Sequence, residues 1–110
     1  MNFNVSTIPN FEREIKSLVK KFPSLKKEYE NLIDILEKNP FEGRRLFGGC
    51  YKIRLAIASK GKGKSGGARI ITHVKVVKQT VYLLSIYDKS EQEDISDDVL
   101  KALIKAIPIK

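Results

Sequence analysis

Apolar residues recur along this chain with two periods, and the change from one to the other divides it. Residues Asn2 to Ile8 alternate Phe3 and Val5 with polar neighbours, the spacing of a half-buried strand. After Pro9-Asn10 the period lengthens. Phe11, Ile15, Leu18, Val19 and Phe22 form one helical stripe, with Asn10 placed to cap it. Pro23 ends that helix, and Ser24 is placed to cap a second, in which Leu25, Tyr29, Leu32, Ile33 and Leu36 repeat the stripe until Asn39-Pro40. So short a link predicts a helical hairpin.

Beyond Glu42-Gly43 and Gly48-Gly49 the period falls to two. Tyr51, Ile53, Leu55 and Ile57 alternate with Lys52, Arg54 and Ala56, which predicts a strand with a buried odd-numbered face and cations on the other. A loop rich in Gly and Lys, Ser59 to Gly67, leads to a second strand from Ala68 to about Val77. A tight turn at Lys78-Gln79 then opens a third, Thr80 to Tyr87, whose apolar centre belongs inside the sheet. Ser96-Asp97-Asp98 starts a last helix carrying Val99, Leu100, Leu103, Ile104 and Ile107 before Pro108. The order β-α-α-β-β-β-α predicts an α+β domain, a mostly antiparallel sheet with the helical hairpin and the last helix on one face.

Composition adds limits. A length of 110 residues with 42% hydrophobic content suits one domain, 1–110, with a single modest core. No apolar run approaches the ~18 residues of a membrane span, and the N-terminus lacks a signal-peptide pattern. The lone Cys50 can form no intramolecular disulfide, so a reducing cytoplasm is the expected compartment. One His and one Cys fall short of a zinc ligand set, and neither a metal nor a cofactor is expected.

Charge changes the picture most. The net charge of +8 is the sum of a balanced segment 1–42, a segment 43–87 with ten cations and no acid, and a segment 88–110 at −2. Like charges crowded together oppose compaction, so the block points to a polyanion, RNA or DNA, as partner. Gly63-Lys64-Ser65 ends like a phosphate-binding P-loop, but that pattern needs glycine at position 58, where this chain has Ala58, and a helix where this chain turns into a strand. A flexible cationic loop is the better reading, with Lys60, Lys62 and Lys64 on backbone phosphates. Tyr51 and Tyr82 fall on apolar faces, which leaves few rings for base stacking. His73 shares a face with Arg69, Ile71 and Lys75 and reads as structural; Cys50 reads as packed against the turn.

Two stretches are more specific: YKIRLAIASKGKGKSGGARII, Tyr51 to Ile71, and YDKSEQEDIS, Tyr87 to Ser96. Through them, and nearly end to end, the chain resembles the RelE/ParE superfamily of toxins from type II toxin–antitoxin pairs, in particular the RelE-like HigB branch. The resemblance implies a RelE-like fold and a ribosome-dependent mRNA endonuclease that inhibits translation. It also implies a cognate antitoxin, often of helix-turn-helix type in that branch, with the ribosome and mRNA as the other partners. The family places basic side chains on the first strand after the helices, which Lys52 and Arg54 match, and an arginine on the next strand, which Arg69 matches. It places a polar or aromatic group near the end of the last strand, for which Tyr87 and Lys89 are nearest. Related toxins often carry a tyrosine or histidine close to the chain end; here an acidic segment and a helix follow instead. Arg44 and Arg45 join the lysine loop as RNA contacts.

Metal-free cleavage lets the ribose 2′-hydroxyl attack its own phosphodiester. The protein must then take a proton, give one, and stabilise a dianionic transition state. Lys and Arg suit the last task; a lysine with a lowered pKa or the Tyr87 hydroxyl is the candidate for proton transfer, because the basic block holds no carboxylate. The ParE side of the superfamily, which inhibits DNA gyrase without cleaving RNA, and a plain basic RNA-binding module are the alternatives. As exposed cations, Lys52 and Arg69 are expected to add little to folding stability.

Overall fold

A computed structural model describes residues 2–61, 63 and 66–108. Its elements run β1 (Asn4–Thr7), α1 (Pro9–Lys21), α2 (Leu25–Lys38), β2 (Arg44–Arg45), β3 (Cys50–Leu55), a short 3-10 turn (Ala58–Lys60), β4 (Ala68–Lys75), β5 (Thr80–Asp88) and α3 (Asp97–Lys105). The five strands form one sheet in the order β1-β5-β4-β3-β2, antiparallel except for the parallel β1–β5 pair at one edge. The expected α+β architecture is present, with one addition, the two-residue strand β2 that pairs Arg44 with Lys52. Periodicity cannot register so short a strand. No helix among the described residues is long and apolar enough to cross a membrane.

Pro9 opens α1, where its missing N–H and fixed φ cost nothing. The cap position is Ile8, without a side-chain cap, so Asn10 does not cap the helix as the pattern suggested. Its amide reaches across to the sheet instead and donates to the Leu84 carbonyl at 3.0 Å. Ser24 does precede α2, but its hydroxyl bonds Ser59 Oγ at 2.7 Å in place of a helix N–H. Ser96 is the conventional case: its Oγ accepts from Val99 N at 3.3 Å, and Asp97 and Asp98 complement the first turn of α3. β4 stops at Lys75, short of the expected Val77, because Val76 to Gln79 form the turn and leave the Val77 side chain 99% exposed.

Both faces of the sheet are covered. α2 lies beside Ile53 and Leu55, whereas α3 and the segment before it lie beside Lys52, which alternation places on the opposite face. The helical pair takes one face, as expected; the last helix takes the other. Phe11, Leu25, Leu36, Ile70, Leu83 and Ile86 are fully buried between the layers. The even-numbered face of β3 is graded: Cys50 is buried, Lys52 half-buried and Arg54 exposed.

The register of β4 against β5 slips between Ile71–Ser85 and Thr72–Leu83, so Leu84 bulges. A bulge leaves backbone groups outside the ladder, and α1 supplies their partners. Asn10 takes the Leu84 carbonyl, and one turn later the Glu14 carboxylate accepts from Ser85 Oγ at 2.8 Å and Ile86 N at 3.2 Å. Glu14→Ala should therefore lower the stability of the fold by about 2–3 kcal/mol, the cost of orphaning charge-assisted hydrogen bonds at a part-buried site, readable in urea melts.

Candidate functional site

Three adjacent strands bring the basic residues together through their register. Arg44 stands opposite Lys52 across β2–β3, Arg54 opposite Arg69 across β3–β4, and Arg69 opposite Tyr87 across β4–β5. Side chains directly opposite one another lie roughly 5 Å apart at Cβ, and like charges so placed repel. The Arg54/Arg69 pair is thus an arrangement that a bound anion would relieve. Arg44, Lys52, Arg54, Arg69 and Lys89, with the carboxylates Glu42 and Glu93, line a cleft of about 390 Å³. Gly43 forms part of its wall at φ +100, where an added Cβ would sit 2.5 Å from the Lys52 carbonyl oxygen; only glycine fits that approach.

The cations differ in setting. Arg54 is exposed, but Arg69 is only 5% exposed, so its expected exposure is corrected. It sits on a central strand, and its Nη1 donates to the Ala68 carbonyl at 3.2 Å. Lys52 is half-buried and forms an ion pair with Asp94 at 3.2 Å. Lys89 follows β5; its backbone N–H bonds the Gly67 carbonyl at 3.0 Å, and its ammonium approaches Glu93 at 3.7 Å. Gly67 permits that contact through its own close approach to β3, since a Cβ there would lie 2.1 Å from the Leu55 carbonyl oxygen.

Tyr87 is 5% exposed, and its hydroxyl is buried without a hydrogen-bond partner. Burial, and then the nearby Asp94 charge, push its pKa above the ordinary tyrosine value, with Arg69 opposing. At neutral pH the phenol is a proton or hydrogen-bond donor, not a base. Asp94 is itself held below the ordinary carboxylate value, first by the Ile95 N–H and then by Lys52. Burial raises the Cys50 thiol to about 11, so it is no nucleophile. His73, 3.6 Å from Cys50 Sγ, is shifted down by burial and Lys75 against a Gly48 hydrogen bond; both residues are packed as expected.

The remaining expected contacts scatter. Arg45 stands opposite Tyr51, and alternation turns it away from the cleft face that Arg44 occupies. Lys60 is corrected as an RNA contact: its side chain is 8% exposed, and its ammonium is held by Asp88 and Ser90 and lies 5.3 Å from the Phe22 ring centroid. Lys62 and Lys64 lie outside the described residues. Sequence reasoning missed the carboxylates. Glu93 and Asp94 belong to the acidic stretch just after β5; the chain's return toward β3 sets Asp94 against the sequence-distant Lys52 and brings Glu93 into the cleft lining beside its near neighbour Lys89.

Comparison with known proteins bears on the chain as a whole. The profile described as the RelE toxin of the RelE / RelB toxin-antitoxin system matches residues 11–107. Among solved structures, a mutant of the E. coli toxin RelE in the free state shares 22% identity, with 98% of this chain and 100% of that chain covered, at a TM-score of 0.61. The isolated E. coli RelE toxin, also at 22% identity, covers 96% of this chain and 99% of its own at a TM-score of 0.51. The likeness to those structures is one of fold, and the profile spans most of the chain: the chain belongs to the RelE toxin family, whose members act within toxin–antitoxin systems.

Proposed function

We propose that the protein is a ribosome-dependent mRNA endonuclease of the HigB-like branch, and that its cleft holds the scissile phosphate. The observation that carries this reading is the Arg54/Arg69 row beside Lys52, Arg44 and Lys89, backed by a buried phenol. When the 2′-hydroxyl attacks, its proton passes to solvent, the new O–P bond closes a 2′,3′-cyclic phosphate as the P–O5′ bond breaks, and negative charge builds on the non-bridging oxygens. Arg54 and Arg69 present fixed donors to that charge, with no reorganisation needed at the moment of reaction. Tyr87, protonated at neutral pH, is in this reading the donor to the departing 5′-oxygen, a role that requires its hydroxyl, buried and outside the cleft lining in the free protein, to turn toward the bound phosphate. Lys52, Lys89 and Arg44 hold the flanking phosphates. The antitoxin, in this reading a helix-turn-helix protein, covers the same cationic face.

The test incubates purified protein with mRNA-programmed ribosomes, with naked mRNA, and with gyrase and supercoiled DNA, and maps RNA ends by primer extension. Cuts that require the ribosome are the expected result. Intact mRNA with inhibited gyrase would assign the chain to a ParE-like activity instead.

A further inference from the structure

The cleft is already partly occupied by the chain itself. The segment Glu91–Asp94 crosses from β5 toward α3 and is pinned by three ion pairs: Glu91 with Lys21 at 3.0 Å, Glu93 with Lys89 at 3.7 Å and Asp94 with Lys52 at 3.2 Å. Lys89 Nζ also donates to the Glu93 carbonyl at 3.1 Å. Two of these cations line the cleft, and Glu93 lines it with them. Within both pairs the cation is the sheltered member and the carboxylate the exposed one, at 17% against 66% for Lys52–Asp94 and 27% against 92% for Lys89–Glu93. A carboxylate so exposed can swing into water at small cost, while its lysine stays where a phosphate would meet it.

Resting on the reading of the cleft as a phosphate site, we propose that Glu93 and Asp94 are specificity residues that occupy the phosphate contacts of Lys89 and Lys52 and reject RNA presented without further contacts. Each phosphate entering the cleft must displace a carboxylate, and the displaced carboxylate then stands beside the incoming anion and repels it. A short free RNA has few other contacts to offset that exchange. RNA held by a larger assembly is already positioned and loses little by it. The two carboxylates therefore separate presented from unpresented substrate, a discrimination achieved through repulsion.

The experiment measures binding of a fluorescein-labelled short single-stranded RNA by anisotropy, across a salt series, for the full chain and three variants. Glu93→Gln with Asp94→Asn is the test; Asn keeps an oxygen for the Ile95 N–H that Asp94 accepts at 2.8 Å. Glu30→Gln with Asp34→Asn, both exposed on α2, removes the same charge elsewhere. Lys52→Ala with Arg54→Ala tests the cleft. The expected result is about three- to tenfold tighter binding by the first variant at low salt, shrinking as salt rises, with a smaller gain for the second. Binding unchanged from wild type, or improved equally by both charge-removing variants, would overturn the inference while leaving the cleft intact. Weaker binding would also overturn it and make Asp94 a support for Lys52. Undiminished binding by the Lys52/Arg54 variant would instead reject the cleft as the phosphate site, and this inference with it.

Discussion

Arg69→Ala should reduce ribosome-dependent mRNA cleavage by about 10²–10³-fold, the loss associated with removing one fixed donor from a charge-stabilising site. The position explains the size of the effect. Arg69 lies on the central strand, flanked by Arg54 on one side and Tyr87 on the other, so it is held rigidly where those two strands meet the cleft. Because it is 5% exposed, the substitution should also cost about 1–2 kcal/mol of stability through lost packing of its stem. Arg69→Lys separates the two effects: it keeps charge and most of the buried stem but loses the planar fork that grips a phosphate through two bonds. Cleavage by Arg69→Lys should remain strongly impaired in an otherwise stable protein. Tyr87→Phe removes a hydroxyl that has no partner in the fold, so its melting temperature should hold or rise while cleavage falls. Full cleavage by a folded Arg69→Lys protein would defeat the site assignment.

Asp88→Ala should lower folding stability by about 3–5 kcal/mol, since it strands the Lys60 ammonium in a buried position. The pair is 8% and 3% exposed, and Ser90 completes it by donating to Asp88 from both its N–H at 3.0 Å and its Oγ at 2.8 Å. Replacing both partners, as in Lys60→Met with Asp88→Leu, should restore much of the loss, because two apolar groups need no desolvated charge to balance. Acid titration gives a second reading. Burial alone would raise the Asp88 pKa, but hydrogen bonds from Lys60 and Ser90 outweigh it and hold it below 3.8. The folded protein then binds that proton less readily than the unfolded chain does. Its stabilisation is complete above the unfolded value and is lost as pH falls through the lower folded one. Wild-type melting temperature should drop steeply below about pH 4, and that of Asp88→Asn less so. An equal acid response in both proteins would show that the carboxylate is not responsible.

The fold was legible wherever a pattern persisted over several residues. The α1 stripe Phe11 to Phe22, the apolar centre of β5 and the Ser96 cap each state a local preference that the tertiary structure leaves in place. What the pattern could not state was pairing. Arg44-Arg45 becomes a strand only because β3 lies beside it, and Asn10 leaves its expected cap because a bulge opposite α1 has a carbonyl to satisfy. The site divides the same way. Lys52, Arg54 and Arg69 were readable from alternation and family likeness, and the structure sets them together in one cleft. Lys60 read as one more cation in a lysine-rich loop, because its buried partner Asp88 lies on a strand far along the chain. Asp94 read as part of an acidic tail for the same reason.

The parallel pair at the edge of the sheet has a consequence for how the molecule comes into being. β1 pairs with β5, Asn4 opposite Thr80, so the first strand made has no partner until residues 80–83 have emerged. The hydrogen bonds of Asn10 and Glu14 to β5 wait on the same event. A nascent chain can form helices and the β3–β4 hairpin early, yet the β1 edge closes only once β5 is in place. Closure of that edge of the sheet is therefore set late by topology alone, whatever the speed at which the helices form.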